Sequence, residues 1–212
     1  MSRLRVGRRK YYDLFSHFYD AFIRLHAGQD EDDTRYFLVD AAHLEDKSGH
    51  RILDICCGTG SVVFAFAKRC PGALLVGYDF SHGMLRKAQE KSAASRPVYV
   101  EGDAAQLPFP DASFDVVTCS HALYELKEEA REKALKEMNR VMHPDGLVLL
   151  MEHEVPSRPL IRLLFYMRLF TMGSADAREF VEKGTQRLKR IFSRVDLTHS
   201  PSGKSRLMIC QK

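Results

Sequence analysis

The stretch from Arg51 to Ser61, RILDICCGTGS, sets an acid, two cysteines and two glycines at the end of an apolar run. Each residue type suggests a different chemistry. Thiols could hold a metal or form a disulfide, glycines could admit a ligand close to the backbone, and the aspartate could face a cation. The cysteine pattern argues against the first two. Cys56, Cys57, Cys70, Cys119 and Cys210 make an odd, scattered set with no CxxC pair of the kind that holds zinc. They read as a reduced set of mostly small, buried residues, as expected in the cytoplasm, and no metal is expected.

Gly58 and Gly60 remain. A phosphate loop of the Walker type needs Gly-Lys-Ser/Thr, and Gly60 is followed by Ser61 and Val62. A dinucleotide fingerprint starting at Gly58 would need a third glycine where Val63 stands. Two more acids follow at regular intervals: Asp79, 19 residues after Gly60, and Asp103 in EGDAAQLPFPDASFDVV. An acid in the position of Asp79 can take both hydroxyls of a ribose, although a lone aspartate there would by default cap a helix or close a turn. Carboxylates that repel one another are not gathered for folding alone. Asp54, Asp79 and Asp103 together suit a cationic, hydrogen-bond-donating ligand that carries a ribose.

Such a cluster needs strands to carry it. RILDIC, ALLVGYDF, VYVEGDA, FDVVTCSH and LVLLMEHEV are short apolar runs bounded by turn residues, the pattern of buried strands. Helical patterns alternate with them: SVVFAFAKRC, HGMLRKAQEKSAA with Ser81 as its cap, and KEEAREKALKEMNRVM, stopped at His143-Pro144-Asp145-Gly146. This alternation predicts an α/β fold, a doubly wound, Rossmann-like and mostly parallel sheet of seven strands. Asp54, Asp79 and Asp103 then end neighbouring strands at the carboxyl edge, where open sheets bind ligands. Two helices precede the sheet, over 10–27 and 30–46. A helix over about 176–191, with Asp176 and Glu179 as a capping box, leads into RVDLTHS-PSG-KSRLMIC, an antiparallel C-terminal hairpin. The whole is expected to be a single domain: an N-terminal helical cap (1–47), a core (50–155), an apolar segment (156–175), and a helix plus hairpin (176–212).

Charge is uneven along the chain. Residues 1–10 carry five basic and no acidic groups, and 158–212 carry twelve basic and four acidic. The net charge of +4 therefore hides a middle of −9. Basic flanks either form a solvated face or meet an anionic surface. The opening MSRLRVGRRK has no apolar centre and is not expected to act as a secretory signal. RPLIRLLFYMRLFTMG, 158–173, is apolar on nearly all sides and too short to span a bilayer. It reads as a lid over a greasy substrate or an interfacial helix helped by the basic tail, or else as an ordinary buried helix.

Taken in order, LDxxCGTG, GxD, GDAxxLPFPDxSFDVV and RVMHPDGLVLLME resemble the class I S-adenosylmethionine-dependent methyltransferases. The resemblance covers roughly Tyr11 to Val155. Within that superfamily it is strongest to the ubiquinone/menaquinone-biosynthesis C-methyltransferases and the bacterial phospholipid N-methyltransferases, with YYDLFSHFYD similar to their N-terminal signature. One departure is Cys56, where the first loop glycine usually stands; it should leave the turn less permissive. The resemblance implies S-adenosyl-L-methionine as cofactor and S-adenosyl-L-homocysteine as product. It implies that the loop from Asp54 through Cys56, Cys57, Gly58 and Gly60 holds the methionine end, with Asp54 near the ammonium. It implies Asp79 on the ribose, Asp103 and the Ala104 amide on the adenine edge, Phe80 and Met84 on its faces, and Ser120 near the methionine chain. Tyr12 and Tyr19 would close over the cofactor, or else pack as the core face of a helix.

Methyl transfer asks little more than positioning, but a phenol or ring-carbon acceptor benefits from a base. His121 and His153, after the fourth strand and at the end of the fifth, are the candidates, and a structural, hydrogen-bonded role is the competing reading for each. The expected acceptor is a small hydrophobic molecule, a quinone precursor or a lipid, and peripheral contact with a membrane surface is expected with it. Nucleic acid is not expected, because the basic residues lack interleaved aromatics and CSHALYEL stands where an Asn/Asp-Pro-Pro-Tyr run would be. Two rivals share the fold: a protein that binds S-adenosylmethionine without transferring its methyl, and a nicotinamide-dependent oxidoreductase.

Overall fold

A computed structural model of the chain describes residues 12–13, 30–44, 49–92, 97–172 and 176–212. The proposed first helix, 10–27, lies outside these residues except for Tyr12 and Asp13, which are helical. Tyr19 is also outside them. The chain divides into two compact units, 1–104 and 105–212.

The first unit contains α1 (Asp30–Asp40), β1 (Arg51–Ile55), α2 (Ser61–Arg69), β2 (Leu74–Asp79), α3 (His82–Ser92) and β3 (Val98–Glu101). Its strands are parallel and run in the order β3-β2-β1. Burial on both sides explains the near-continuous apolar runs: Ile52, Leu53 and Ile55 of β1 and Leu75, Val76 and Tyr78 of β2 are all buried. Val62, Val63, Ala65 and Phe66 make the buried face of α2, while Lys68 and Arg69 sit in its last turn, where the helix dipole favours cations. α1 is shorter than its apolar spacing predicted, ending at Asp40. β3 ends at Glu101, so Asp103 lies two residues beyond the strand rather than in it.

The second unit contains β4 (Phe114–Ser120), a 3-10 turn (Leu123–Glu125), α4 (Glu128–Val141), β5 (Met142–His153), α5 (Pro159–Met172), α6 (Ala177–Leu188), β6 (Arg194–His199) and β7 (Ser205–Gln211). Its strand order is β4-β5-β7-β6. β4 and β5 are parallel, and β7 runs antiparallel to both β5 and β6, which is the expected hairpin. The amphipathic α4 buries Ala134, Leu135, Met138 and Val141 on one side. On the other, Glu129–Lys133 and Glu132–Lys136 form i,i+4 ion pairs. Seven mostly parallel strands in these orders, alternating with helices, make a Rossmann-like α/β fold with an antiparallel C-terminal pair.

Two local readings are corrected. His143-Pro144-Asp145-Gly146 does not separate helix from strand. β5 leaves α4 directly at Met142, and the tetrapeptide is absorbed as a break in register between Phe114↔Met142 and Val116↔Leu147. The capping box at Asp176 and Glu179 does not form, since α6 has no side-chain cap bond. The Asp176 carboxylate is held instead by the buried guanidinium of Arg131, with Nη1 to Oδ2 at 2.9 Å and Nη2 to Oδ1 at 3.0 Å. Glu179 pairs with Arg187.

Candidate functional site

The first unit brings the glycine turn and two of the three acids into one built structure. Leaving β1, the chain takes left-handed φ values at alternate residues: 56° at Cys56, 53° at Gly58 and 74° at Gly60. Glycine adopts this region freely and cysteine does not, so Cys56 is the strained member. The turn is closed by the Gly60 amide donating to the Cys57 carbonyl at 2.9 Å. At Gly60 a side chain is also excluded by space, because a Cβ would stand 2.7 Å from the Tyr99 hydroxyl. At Gly58 a Cβ would meet nothing within 4 Å, so that side of the turn is open. Gly60 is the N-cap of α2 and provides no side-chain cap, so the first amides of the helix are not satisfied by its own cap residue.

Asp79 ties this turn to the next one. Its Oδ2 accepts from the Gly58 amide and its Oδ1 from the Ser81 amide, both at 2.9 Å. Asp79 is 5% exposed, and burial pushes its carboxyl up to about 6, against the opposing pull of the Ser81, Gly58 and Phe80 amides. Asp54, at the end of β1, is buried as well. Burial first, then the charges of Asp79 and Asp54, push the neighbouring Cys57 thiol up, which leaves it inert rather than nucleophilic. Asp103 is half-buried, and its carbonyl lies 3.4 Å from the Tyr78 hydroxyl. Ala104 is buried beside it in sequence.

Ser81 caps α3 as expected, its Oγ accepting from the Met84 amide at 3.3 Å. Sequence reasoning missed its partner. Asp13 Oδ1 accepts from Ser81 Oγ at 2.6 Å and from the Gly83 amide at 2.9 Å, so the N-terminal segment is anchored at the start of α3. Beside it the Tyr12 ring meets Phe80 edge-on, with centroids 5.7 Å apart. Met84 is buried and Phe80 half-buried. A lone aspartate in YYDLF carries no mark of a contact made 68 residues away.

This set fits a sulfonium nucleoside better than a phosphate. It offers buried carboxylates and an open-sided glycine turn, and the lysine that meets the turn, Lys91 with Nζ 3.1 Å from Thr59 Oγ1, comes from α3 rather than from a Walker position after Gly60.

The second unit gathers the histidines. His121, at φ 52°, follows β4 and donates its amide to the Met151 carbonyl of β5 at 2.8 Å. Its Nδ1 lies 3.0 Å from Ser120 Oγ and its Nε2 3.1 Å from Ser205 Oγ. The His153 ring packs against it with centroids 4.3 Å apart, and Tyr124 and Phe165 contact His153 at 5.7 and 6.1 Å. Strand alternation sends Glu152 to the other side of β5. It is fully buried, and its Oε1 accepts from the Leu123 amide at 3.1 Å. Burial pushes its carboxyl up to about 8, although Arg206, Leu123 and Arg131 pull it down. Glu154 pairs with His199 at 3.0 Å.

The apolar segment is not an ordinary buried helix. On α5, Phe170 is 90% and Leu160 70% exposed, and Leu169 alone among the helix's described side chains is buried. Among the described residues no helix is long and apolar enough to cross a membrane.

Comparison with known proteins agrees with this architecture. Residues 52–146 match the family described as methyltransferase domain. The demethylmenaquinone methyltransferase of Staphylococcus aureus is 37% identical over 163 aligned residues, covering 69% of this chain and 67% of that one. Among solved structures, the mitomycin 7-O-methyltransferase MmcR aligns with a TM-score of 0.68 at 20% identity, covering 95% of this chain and 60% of that one. PigF, solved with S-adenosylhomocysteine, aligns with a TM-score of 0.61 at 21% identity, covering 77% and 50%. At such identities the two structures speak for the fold alone.

Proposed function

The chain belongs to the class I S-adenosylmethionine-dependent methyltransferases, and from that premise we propose that it methylates a small hydrophobic acceptor, a quinone precursor or lipid-like molecule, in the cytoplasm and in peripheral contact with a membrane. The observation that carries the cofactor half is the Asp79 carboxylate bonded to the Gly58 amide, which joins the acidic rim and the glycine turn into one rigid unit.

In this reading the Asp79 carboxylate, braced by main-chain amides, turns its remaining acceptor capacity to the ribose hydroxyls. Asp54 faces the methionine ammonium, and the main chain from Cys56 to Gly60 lines the methionine end. Asp103 accepts from the adenine amino group, the Ala104 amide donates to a ring nitrogen, and Phe80 and Met84 flank the ring. Ser120 packs near the methionine chain, and Tyr12 and Tyr19 close over the nucleoside. Bound there, S-adenosylmethionine supplies a sulfonium methyl that is already electrophilic. The protein aligns the acceptor and takes its proton. His121 and His153 are the candidate bases; both ring nitrogens of His121 lie within bonding distance of serine hydroxyls. His121 is the neighbour that fixes the His153 ring.

The acceptor half is supported by the demethylmenaquinone methyltransferase at 37% identity. The test is transfer of labelled methyl from S-adenosylmethionine to an isolated demethylated quinone and to a lipid extract. Label in the quinone or lipid fraction is expected. Label confined to protein or nucleic acid would overturn the acceptor assignment.

A further inference from the structure

α5 is built the wrong way round for a surface helix. Its inner side is accounted for: Leu169 is buried, the Tyr166 hydroxyl donates to Glu182 Oε1 at 2.7 Å, and the Arg178 guanidinium lies 4.4 Å from the Tyr166 ring centroid. Its outer side carries Leu160, Ile161, Leu163, Leu164, Met167 and Phe170, all exposed. At the helical repeat of ~3.6 residues these fall within one half of the circumference, an arc that also takes in positions Arg168 and Thr171. A solvated helix would fill that arc with polar groups, and here it holds one charge among six large apolar side chains. A mostly apolar face of this kind marks an interaction site.

We propose that the outer face of α5 docks the protein on an anionic lipid bilayer, lying in the plane of the interface with its leucines, Met167 and Phe170 below the headgroups. Charge selects the partner. Residues 158–212 hold twelve basic and four acidic groups; the helical repeat places Arg168 within the outer arc, while Arg158 and Arg162, exposed at the start of the helix, fall on the opposite side. An anionic surface attracts that excess, whereas a second copy of the chain would bring the same positive charge against it. Length excludes spanning: the fourteen residues of α5 reach about 21 Å, short of a hydrocarbon core of ~30 Å. The proposal deepens the reading of peripheral membrane contact and does not depend on the methyl-transfer chemistry.

Vesicle flotation tests it on the full chain. Wild type is expected to float with phosphatidylcholine vesicles containing about 30% phosphatidylglycerol, and at least about tenfold less with phosphatidylcholine alone. The double substitution Leu164→Glu with Phe170→Glu is expected to lower partitioning by about a hundredfold while leaving the thermal melt intact. Leu197→Glu, at another exposed leucine, on β6, should leave it unchanged. Failure of wild type to float, an equal loss in the Leu197 variant, or a wild-type dimer that the double variant splits would each overturn the proposal. Transfer of methyl to a soluble acceptor without a lipid tail is expected to survive in the double variant. Flotation without any transfer would instead strike the proposed chemistry and leave the docking face standing.

Discussion

At the scale of single residues the turn after β1 shows both what a sequence discloses and what it hides. Gly58 and Gly60 announce a special backbone, and the left-handed φ at both bears that out. Cys56 announces nothing except by departing from the family pattern, yet it sits at φ 56°. Cys56→Gly should therefore relieve about 1 kcal/mol of strain. Greater freedom of the unfolded chain returns part of that, leaving a net gain of roughly 0.5 kcal/mol. Cys56→Val should cost about 1 kcal/mol or more, because a β-branched side chain tolerates this region worse. Thermal melts of the two variants check the order; a glycine variant less stable than wild type would contradict it. The bracing role of Asp79 was foreshadowed as the default of a turn aspartate. The Asp13 anchor was not, because nothing local distinguishes an acid that faces solvent from one that meets a distant helix start.

At the scale of elements, apolar runs bounded by turn residues located the strands, and the PSG turn located the hairpin. What failed did so where tertiary partners outbid local preference. Asp176 has the spacing of a capping box, but a buried guanidinium takes its carboxylate. In the sequence nothing sets Arg131 apart from the other charges of α4. It is 2% exposed, and it also donates to the Leu123 and Leu126 carbonyls at 3.0 and 2.7 Å. It thus ties the 3-10 turn after β4 to α6. Arg131→Ala leaves two carbonyls and a largely buried carboxylate without this donor, and should destabilise the protein by about 3 kcal/mol. Urea midpoints at constant slope measure it; a loss under ~1 kcal/mol would show the pair to be dispensable. For α5, an all-round apolar helix fits a core and an interface equally well by sequence. Only the exposure of its outer face separates them.

At the scale of the whole molecule the charge pattern and the buried acids set the response to pH. The carboxyls of Glu152 and Asp79 are raised by burial, to about 8 and about 6. A raised carboxyl holds its proton longer in the folded chain than in the unfolded one. Stability from that difference is fully present below the unfolded value and is lost as pH rises through the folded value. Stability should therefore fall between about pH 5 and 8, with Glu152 setting the upper end. Glu152→Gln keeps the shape without the titration, and should flatten the profile and close most of the gap at pH 8. Melting temperatures from pH 5 to 9 decide it; a variant with the slope of wild type would move the cause elsewhere.

The account rests on the Asp79-braced glycine turn being a nucleoside site for a sulfonium cofactor. Calorimetric titration of S-adenosylhomocysteine into wild type and into Asp79→Ala, each shown to melt cooperatively, tests this most directly. Two charge-assisted hydrogen bonds to ribose are at stake, so the variant should bind at least about a hundredfold more weakly. Equal affinity in the two proteins, or no binding to wild type, would contradict the account.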